Sequence, residues 1–242
     1  KLFNQGMILA YSFRDELGKY HYPHEVEKRG DAVVLKDTGA PVHSQIEKMS
    51  KSRYNVVNPD EVASQYGADS MRLYEMFMGP LDREKPWTDE GVQGVHRFLR
   101  RVWSLFIAED GGLHPRVVAS GGDPALVKEL HRTVKDVTQN IESLLFNTAI
   151  ARMMEFVNAA LKAPAVDREV LEGFVLVLSP FAPHLAEELW ERLGHTGTLA
   201  YVPWPEWDES LLVENVLEVP VQVQGKLRGK VEVPADADAA TV

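Results

Sequence analysis

The feature that most constrains this chain is a long run of helical periodicity in its second half. From Thr88 onward Val92, Val95, Leu99, Val102 and Phe106 recur at three- and four-residue spacing. That spacing lays one apolar stripe along an α-helix. Asp123-Pro124 marks a capped start, and Leu126, Leu130, Val134, Val137 and Ile141 form the next stripe. A break near residues 144–147 precedes a helix carrying Ile150, Met153, Met154, Val157 and Leu161. Residues 166–178 predict a fourth helix, and Pro180 and Pro183 force a new start. Leu185, Leu189, Trp190 and Leu193 then run to Gly194, a suitable helix stop. Five helices joined by modest loops predict a bundle. The fold class expected for the whole chain is therefore mainly α.

The flanks read differently. Residues 1–17 are apolar-rich and predict a strand or loop entering a short helix. In residues 18–47, Val33-Val34-Leu35 and Val42 flank a turn at Asp37-Thr38-Gly39-Ala40, which predicts a small β insertion. Residues 48–57 read as a loop. Asn58-Pro59-Asp60-Glu61 opens a helix, Gly67 separates it from a second, and Asp69 is placed to cap that second helix. At the far end Val219, Val221 and Val223 alternate with polar or turn residues, as do Val231 and Val233 beyond a turn at residues 225–229. This is a β-hairpin, too small to bury a core of its own.

Composition narrows the function classes. No stretch of the 242 residues approaches the roughly 18 apolar residues of a membrane-spanning helix. With no cysteine, thiolate metal sites and cysteine nucleophiles are excluded within this chain. A net charge of −10 opposes indiscriminate nucleic-acid binding but leaves room for one basic face. The opening Lys1-Leu2-Phe3 has neither an initiator Met nor a signal sequence, so the chain is expected to be a fragment of something larger.

The most informative chemistry lies in Lys48-Met49-Ser50-Lys51-Ser52. Two ammonium groups and two hydroxyls on one loop suit a polyanion. They stabilise a triphosphate best when its α-phosphorus is under attack and charge builds on the oxygens. The plain alternative for two lysines three residues apart is a solvated loop.

The surrounding order of residues decides against that alternative. Lys48 to Ser52, then Asn55-Val56-Val57 with Pro59-Asp60-Glu61, then Tyr66-Gly67-Ala68-Asp69 with Arg72-Leu73, closely resembles the signature loop and adjoining helices of class I aminoacyl-tRNA synthetases. Trp87-Thr88-Asp89-Glu90-Gly91 through His96-Arg97-Phe98-Leu99-Arg100-Arg101 resembles the leucine branch of that family, as does Asn4-Gln5-Gly6-Met7. Phe146-Asn147-Thr148-Ala149 and Pro180-Phe181-Ala182-Pro183-His184 resemble stretches shared by its leucine, isoleucine and valine branches. The resemblance covers essentially the whole chain.

It implies the end of a class I catalytic domain over residues 1–80, with 18–47 as an insertion. An anticodon-binding-type helix bundle with a linker comes next over 81–215, and a truncated α/β C-terminal domain, a β-hairpin stub, over 216–242. It also implies an ATP-dependent leucine–tRNA ligase of the cytoplasm, using ATP with magnesium and binding tRNA(Leu), with no membrane partner. Lys48 and Lys51 would be catalytic, and Met49, Ser50 and Ser52 would shape the nucleotide-binding loop with them. No His-x-Gly-His-type motif precedes residue 48, so the leucine and ATP pockets are expected in a missing N-terminal half, and the fragment alone is expected to be inactive.

Two basic groups are candidate tRNA contacts. Arg97, Arg100 and Arg101 share a helix face opposite the apolar stripe. Lys226, Arg228 and Lys230 alternate along one strand and are expected to share a face. His21 and His24, three apart beside Glu25 and Glu27, lack the further ligands of a metal site, so no metal is expected. His184 is expected to be a buried hydrogen-bonding residue, and Trp204 and Trp207 to anchor the linker. The alternatives are a valine or isoleucine enzyme, a free-standing tRNA-binding or protein-interaction module, and a bundle kept only for structure.

Overall fold

The computed structural model describes residues 2–213, 216–223 and 226–234. The first element, β1 (Ile8–Arg14), is the middle of a small sheet. It pairs antiparallel with β2 (Tyr20–His21) and, later in the chain, with β5 (His43–Lys48). Leu9 stands opposite Lys48, and Arg14 opposite His43.

No helix comes after β1, contrary to expectation. The Asp15 carboxylate accepts the backbone N–H groups of Leu17 (3.0 Å) and Lys19 (2.8 Å), and Gly18 closes the turn at φ +86°. This local side-chain-to-backbone capture competes with helix formation.

The insertion holds a hairpin, β3 (Val26–Arg29) with β4 (Ala32–Leu35). The turn expected at 37–40 exists, with Leu35 N–H donating to Ala40 O at 2.8 Å. Residues 41–48 do not form a second arm to that hairpin: Pro41 makes one isolated bridge to Val34, and the chain then joins β1 as β5. The insertion is thus stitched into the sheet that carries the candidate loop.

Two short helices come next, α1 (Pro59–Tyr66) and α2 (Ala68–Phe77). Asn58 caps α1 by accepting from the Asp60 N–H at 3.1 Å. Strand β6 (Lys85–Pro86) returns to pair in parallel with β1. The bundle is built from α3 (Asp89–Phe106), α4 (Pro124–Glu142), α5 (Phe146–Lys162), α6 (Arg168–Leu178) and α7 (Pro183–Arg192). Between them β7 (Val117–Val118) and β8 (Val166–Asp167) pair in parallel. That pairing, with Asp167 accepting from Gly122 N–H at 2.7 Å, delays the fourth bundle helix to Arg168. Asp123 and Thr88 cap α4 and α3 as their residue types favour.

The core lies inside the bundle. Phe106, Phe156, Phe174, Ile150, Met153, Leu178 and Leu189 are fully buried. The Phe156 and Phe174 rings stack with centroids 4.6 Å apart. Helix α2 is wedged against α3 through Tyr74, whose ring leaves room only for hydrogen at Gly91: a Cβ there would meet it at 2.3 Å. The Tyr74 hydroxyl accepts the Thr88 N–H at 3.1 Å, tying the start of α3 to α2.

Beyond α7 the linker folds back onto α4. Trp204 Nε1 donates to Thr138 Oγ1 at 2.8 Å, and Trp207 packs on the core before the one-turn helix α8 (Glu209–Leu212). Strands β9 (Val216–Val223) and β10 (Lys226–Pro234) form the expected terminal hairpin.

Candidate phosphate-binding loop and basic helix face

The loop is less of a loop than its composition suggests. Lys48 is the last residue of β5, and Lys51–Arg53 form a single 3-10 turn. Lys48, Lys51 and Ser52 are exposed, while Met49 is half-buried and packs against the core. Neither lysine ammonium has a hydrogen bond or ion pair among the described residues. The nearby carboxylate of Glu47 is already engaged: Arg53 Nε lies 3.2 Å away, Ser12 Oγ donates at 2.9 Å and Gln45 Nε2 at 2.6 Å. With Glu47 neutralised by Arg53, Lys48 and Lys51 leave the loop tip positive. The Ser50 and Ser52 hydroxyls are 2.9 Å apart, so one donor and further acceptor capacity face outward with the lysines.

Three features hold this tip. The β1–β5 ladder fixes Lys48. Asn55, only 4% exposed, accepts the Ser50 N–H at 2.9 Å. Tyr54, in left-handed backbone at φ 55°, stacks its ring on Tyr22 of the insertion with centroids 4.2 Å apart. An open groove of about 600 Å³ lies beside Lys51, walled by Tyr22, His24, Tyr54 and Glu61.

Arg97, Arg100 and Arg101 are all exposed on α3, opposite the buried Val95, Phe98, Leu99 and Val102. Arg97 and Arg100 have no hydrogen bond or ion pair among the described residues. Arg101 differs, because its guanidinium donates to Asn158 Oδ1 on α5 at 2.7 Å. The loop lysines and the α3 arginines belong to separate elements and form two separate basic features.

The strand triplet fares otherwise. Lys226, Arg228 and Lys230 all fall within β10, whose backbone register against β9 shifts between Leu227 and Gly229. The side chains of these three lie outside the described residues.

Two further expectations are corrected. Asp69 does not cap α2, whose start has no side-chain cap. Its buried carboxylate instead reaches the start of α7, accepting from Leu185 N–H at 2.8 Å and His184 N–H at 3.4 Å. His184 Nδ1 also bonds Asp69, at 2.8 Å, but its side chain is 74% exposed rather than buried. Pro183 opens α7, the next two backbone N–H groups meet the Asp69 carboxylate, and the His184 ring is left on the rim. His21 is the buried histidine, 2.9 Å from Asp15, and this bond is the chief cause holding the Asp15 carboxyl below its ordinary range. No group of three or more His, Asp or Glu among the described residues is placed to hold a metal.

Sequence reasoning missed Asn55 and Asp69 as structural clamps. Both stand inside the stretch that resembles the synthetases, but residue type and spacing mark neither as a long-range clamp. Among the described residues, no helix is long and apolar enough to cross a membrane.

Comparison with known proteins adds independent findings. A family profile described as the anticodon-binding domain of tRNA ligase matches residues 123–242. A second, described as tRNA synthetases class I (I, L, M and V), matches residues 36–87. The chain is 51% identical over 241 residues to leucine–tRNA ligase 1 of Rhizobium johnstonii, a match covering 99% of this chain and 28% of that protein. A similar solved structure is the ternary complex of Agrobacterium radiobacter K84 agnB2 LeuRS with tRNA and LeuAMS. It superposes with a TM-score of 0.66 at 27% identity, covering 99% of this chain and 28% of the other. The chain thus spans somewhat over a quarter of the length of the relatives it matches.

Proposed function

The chain belongs to the class I tRNA synthetases, in the leucine–tRNA ligase branch, and on that premise we propose that it supplies the phosphate-binding loop and a tRNA-facing helix surface to a leucine–tRNA ligase. Residues 1–80 close the catalytic region. Residues 81–215 are the bundle with its linker, and 216–242 begin a further tRNA-binding domain. Leucine and the adenosine end of ATP are held by the rest of the enzyme, which works in the cytoplasm and has no membrane partner.

The reaction is the attack of a leucine carboxylate oxygen on the α-phosphorus of ATP. The bond from that phosphorus to the bridging oxygen breaks, and pyrophosphate leaves with the electron pair. Lys51, assisted by Lys48 and the Ser50 and Ser52 hydroxyls, stabilises the charge growing on the departing oxygens. Met49 anchors the loop to the core. Magnesium, which the family's ATP chemistry implies, is carried by the nucleotide's phosphates. The loop's ammonium and hydroxyl donors do not form a magnesium cage, and no step here runs through the ion.

The observation that carries this reading is the pair of lysine ammoniums, exposed and without an ion pair among the described residues, on a backbone held from beneath by Asn55. In the full-length ligase, Lys51→Ala is expected to slow ATP–pyrophosphate exchange by about a hundredfold while leaving tRNA affinity unchanged. Exchange at the parental rate would remove the reading.

Arg97 and Arg100, with Arg101, are proposed to meet the tRNA backbone, and Lys226, Arg228 and Lys230 to contribute further contacts. For the Arg97→Ala ligase, the slope of log affinity for tRNA(Leu) against log salt is expected to fall by about one. An unchanged slope would exclude Arg97 from the interface.

A further inference from the structure

We propose that Asn55 is a positioning residue of the loop, the group that sets where Lys51 stands relative to the departing pyrophosphate. This rests on the reading of Lys51 given above and adds the residue through which the fold controls it.

Asn55 lies four residues beyond Lys51, yet it is almost sealed from water at 4% exposure. Its side-chain amide uses both ends. Oδ1 accepts the Ser50 N–H at 2.9 Å. Nδ2 faces two carbonyls, Ala10 O at 3.4 Å on β1 and Lys48 O at 3.5 Å at the end of β5. One side chain therefore joins the sheet to the backbone on both sides of Met49. Ser50 is the N-terminal cap residue of the 3-10 turn that carries Lys51, so the Ser50 N–H is the point from which that turn departs.

The chemistry of the site narrows the residue type. An acceptor for Ser50 and a donor for two carbonyls are needed within one short, buried, uncharged group. Aspartate would keep the acceptor but set a carboxylate against the carbonyls of Ala10 and Lys48, while alanine would leave the part-buried Ser50 N–H without this partner. The Lys51 side chain is free in solvent, so its location depends on its backbone, and that backbone is referenced to β1 through Asn55. A cation that must meet charge developing in a transition state gains most from fixed placement.

Kinetics of the full-length ligase test this. Asn55→Ala is expected to lower kcat of ATP–pyrophosphate exchange by about ten- to a hundredfold, with KM for ATP changed less than about threefold. Asn55→Asp is expected to fall in the same direction, and tRNA affinity in both variants to match the parent, which shows that the bundle is intact. The deciding comparison is the double variant. If Asn55 acts through Lys51, adding Asn55→Ala to Lys51→Ala lowers kcat by less than about twofold further. Full additivity, or a parental kcat for Asn55→Ala, would overturn the proposal. A Lys51→Ala ligase that exchanges normally would instead strike the reading beneath it, so the two failures are distinguishable.

Discussion

The loop at 48–55 and the bundle at 89–193 are built on opposite terms. In the bundle, side chains such as Phe156, Phe174 and Leu189 have no exposed surface, and position is enforced by close packing from every side. In the loop the lysines stand in water and position is enforced by a few polar contacts, those of Asn55 with Ser50, Ala10 and Lys48. The contrast teaches where each kind of residue has its effect. Packing energy accumulates in the bundle, where nothing reacts. Reactive charge is kept in water, because an unpaired ammonium is strongly disfavoured away from it.

The largest effect that could break this contrast is on stability. Phe174→Ala removes one ring of the stacked pair with Phe156 from a site with no solvent exposure. Urea denaturation is expected to show a loss of about 3–5 kcal/mol. Lys51→Ala, measured the same way, is expected to stay within about 0.5 kcal/mol of the parent. Comparable losses from the two would mean that the loop lysine is structural after all.

An intermediate effect is expected where the two regions meet. Asp69 on α2 satisfies backbone donors at the start of α7, and Arg72, one turn further on, donates to Pro180 O at 3.3 Å. Asp69→Ala leaves those donors without their acceptor, and a loss of about 1–2 kcal/mol is expected. Asp69→Asn, which keeps one oxygen acceptor, is expected to lose less. If both variants unfold like the parent, the α2–α7 contact is not what joins the loop-bearing segment to the bundle.

The same contrast explains which features are legible in the sequence. Stripes at 92–106 and 126–141 announce helices because helical burial is periodic, and the periodicity survives in the residue types. Lys48 to Ser52 are legible because their chemistry is unusual in that order. Long-range polar choices leave no such trace. Asp69 satisfies the local rule for capping α2, yet it serves a helix more than a hundred residues away. His184 sits between Pro183 and Leu185 and invites a buried reading, but the ring lies on the rim of its helix. Asn55 lies within the stretch that resembles the synthetases, but an asparagine in a polar loop looks ordinary until its burial is known.

The smallest expected effect lies on α2, between the two regions. Glu75 is half-buried there and has no hydrogen-bond partner among the described residues. Burial raises its pKa above 4.5, against an opposing pull from Arg72. A carboxyl whose pKa is raised on folding binds protons more tightly in the native state, so stability falls as pH rises from 4.5 through the folded value and stays reduced above it. Glu75→Gln removes the charge that burial disfavours. The variant is expected to be more stable than the parent at pH 7, by about 0.5 kcal/mol or less, and the gain is expected to vanish below pH 4.5, where the parent is protonated in both states. Paired urea titrations at the two pH values read the difference. A Gln variant less stable at pH 7 would show that the Glu75 carboxylate is held by Arg72 rather than penalised by burial, and would move that end of α2 from the loop's solvated regime into the bundle's packed one.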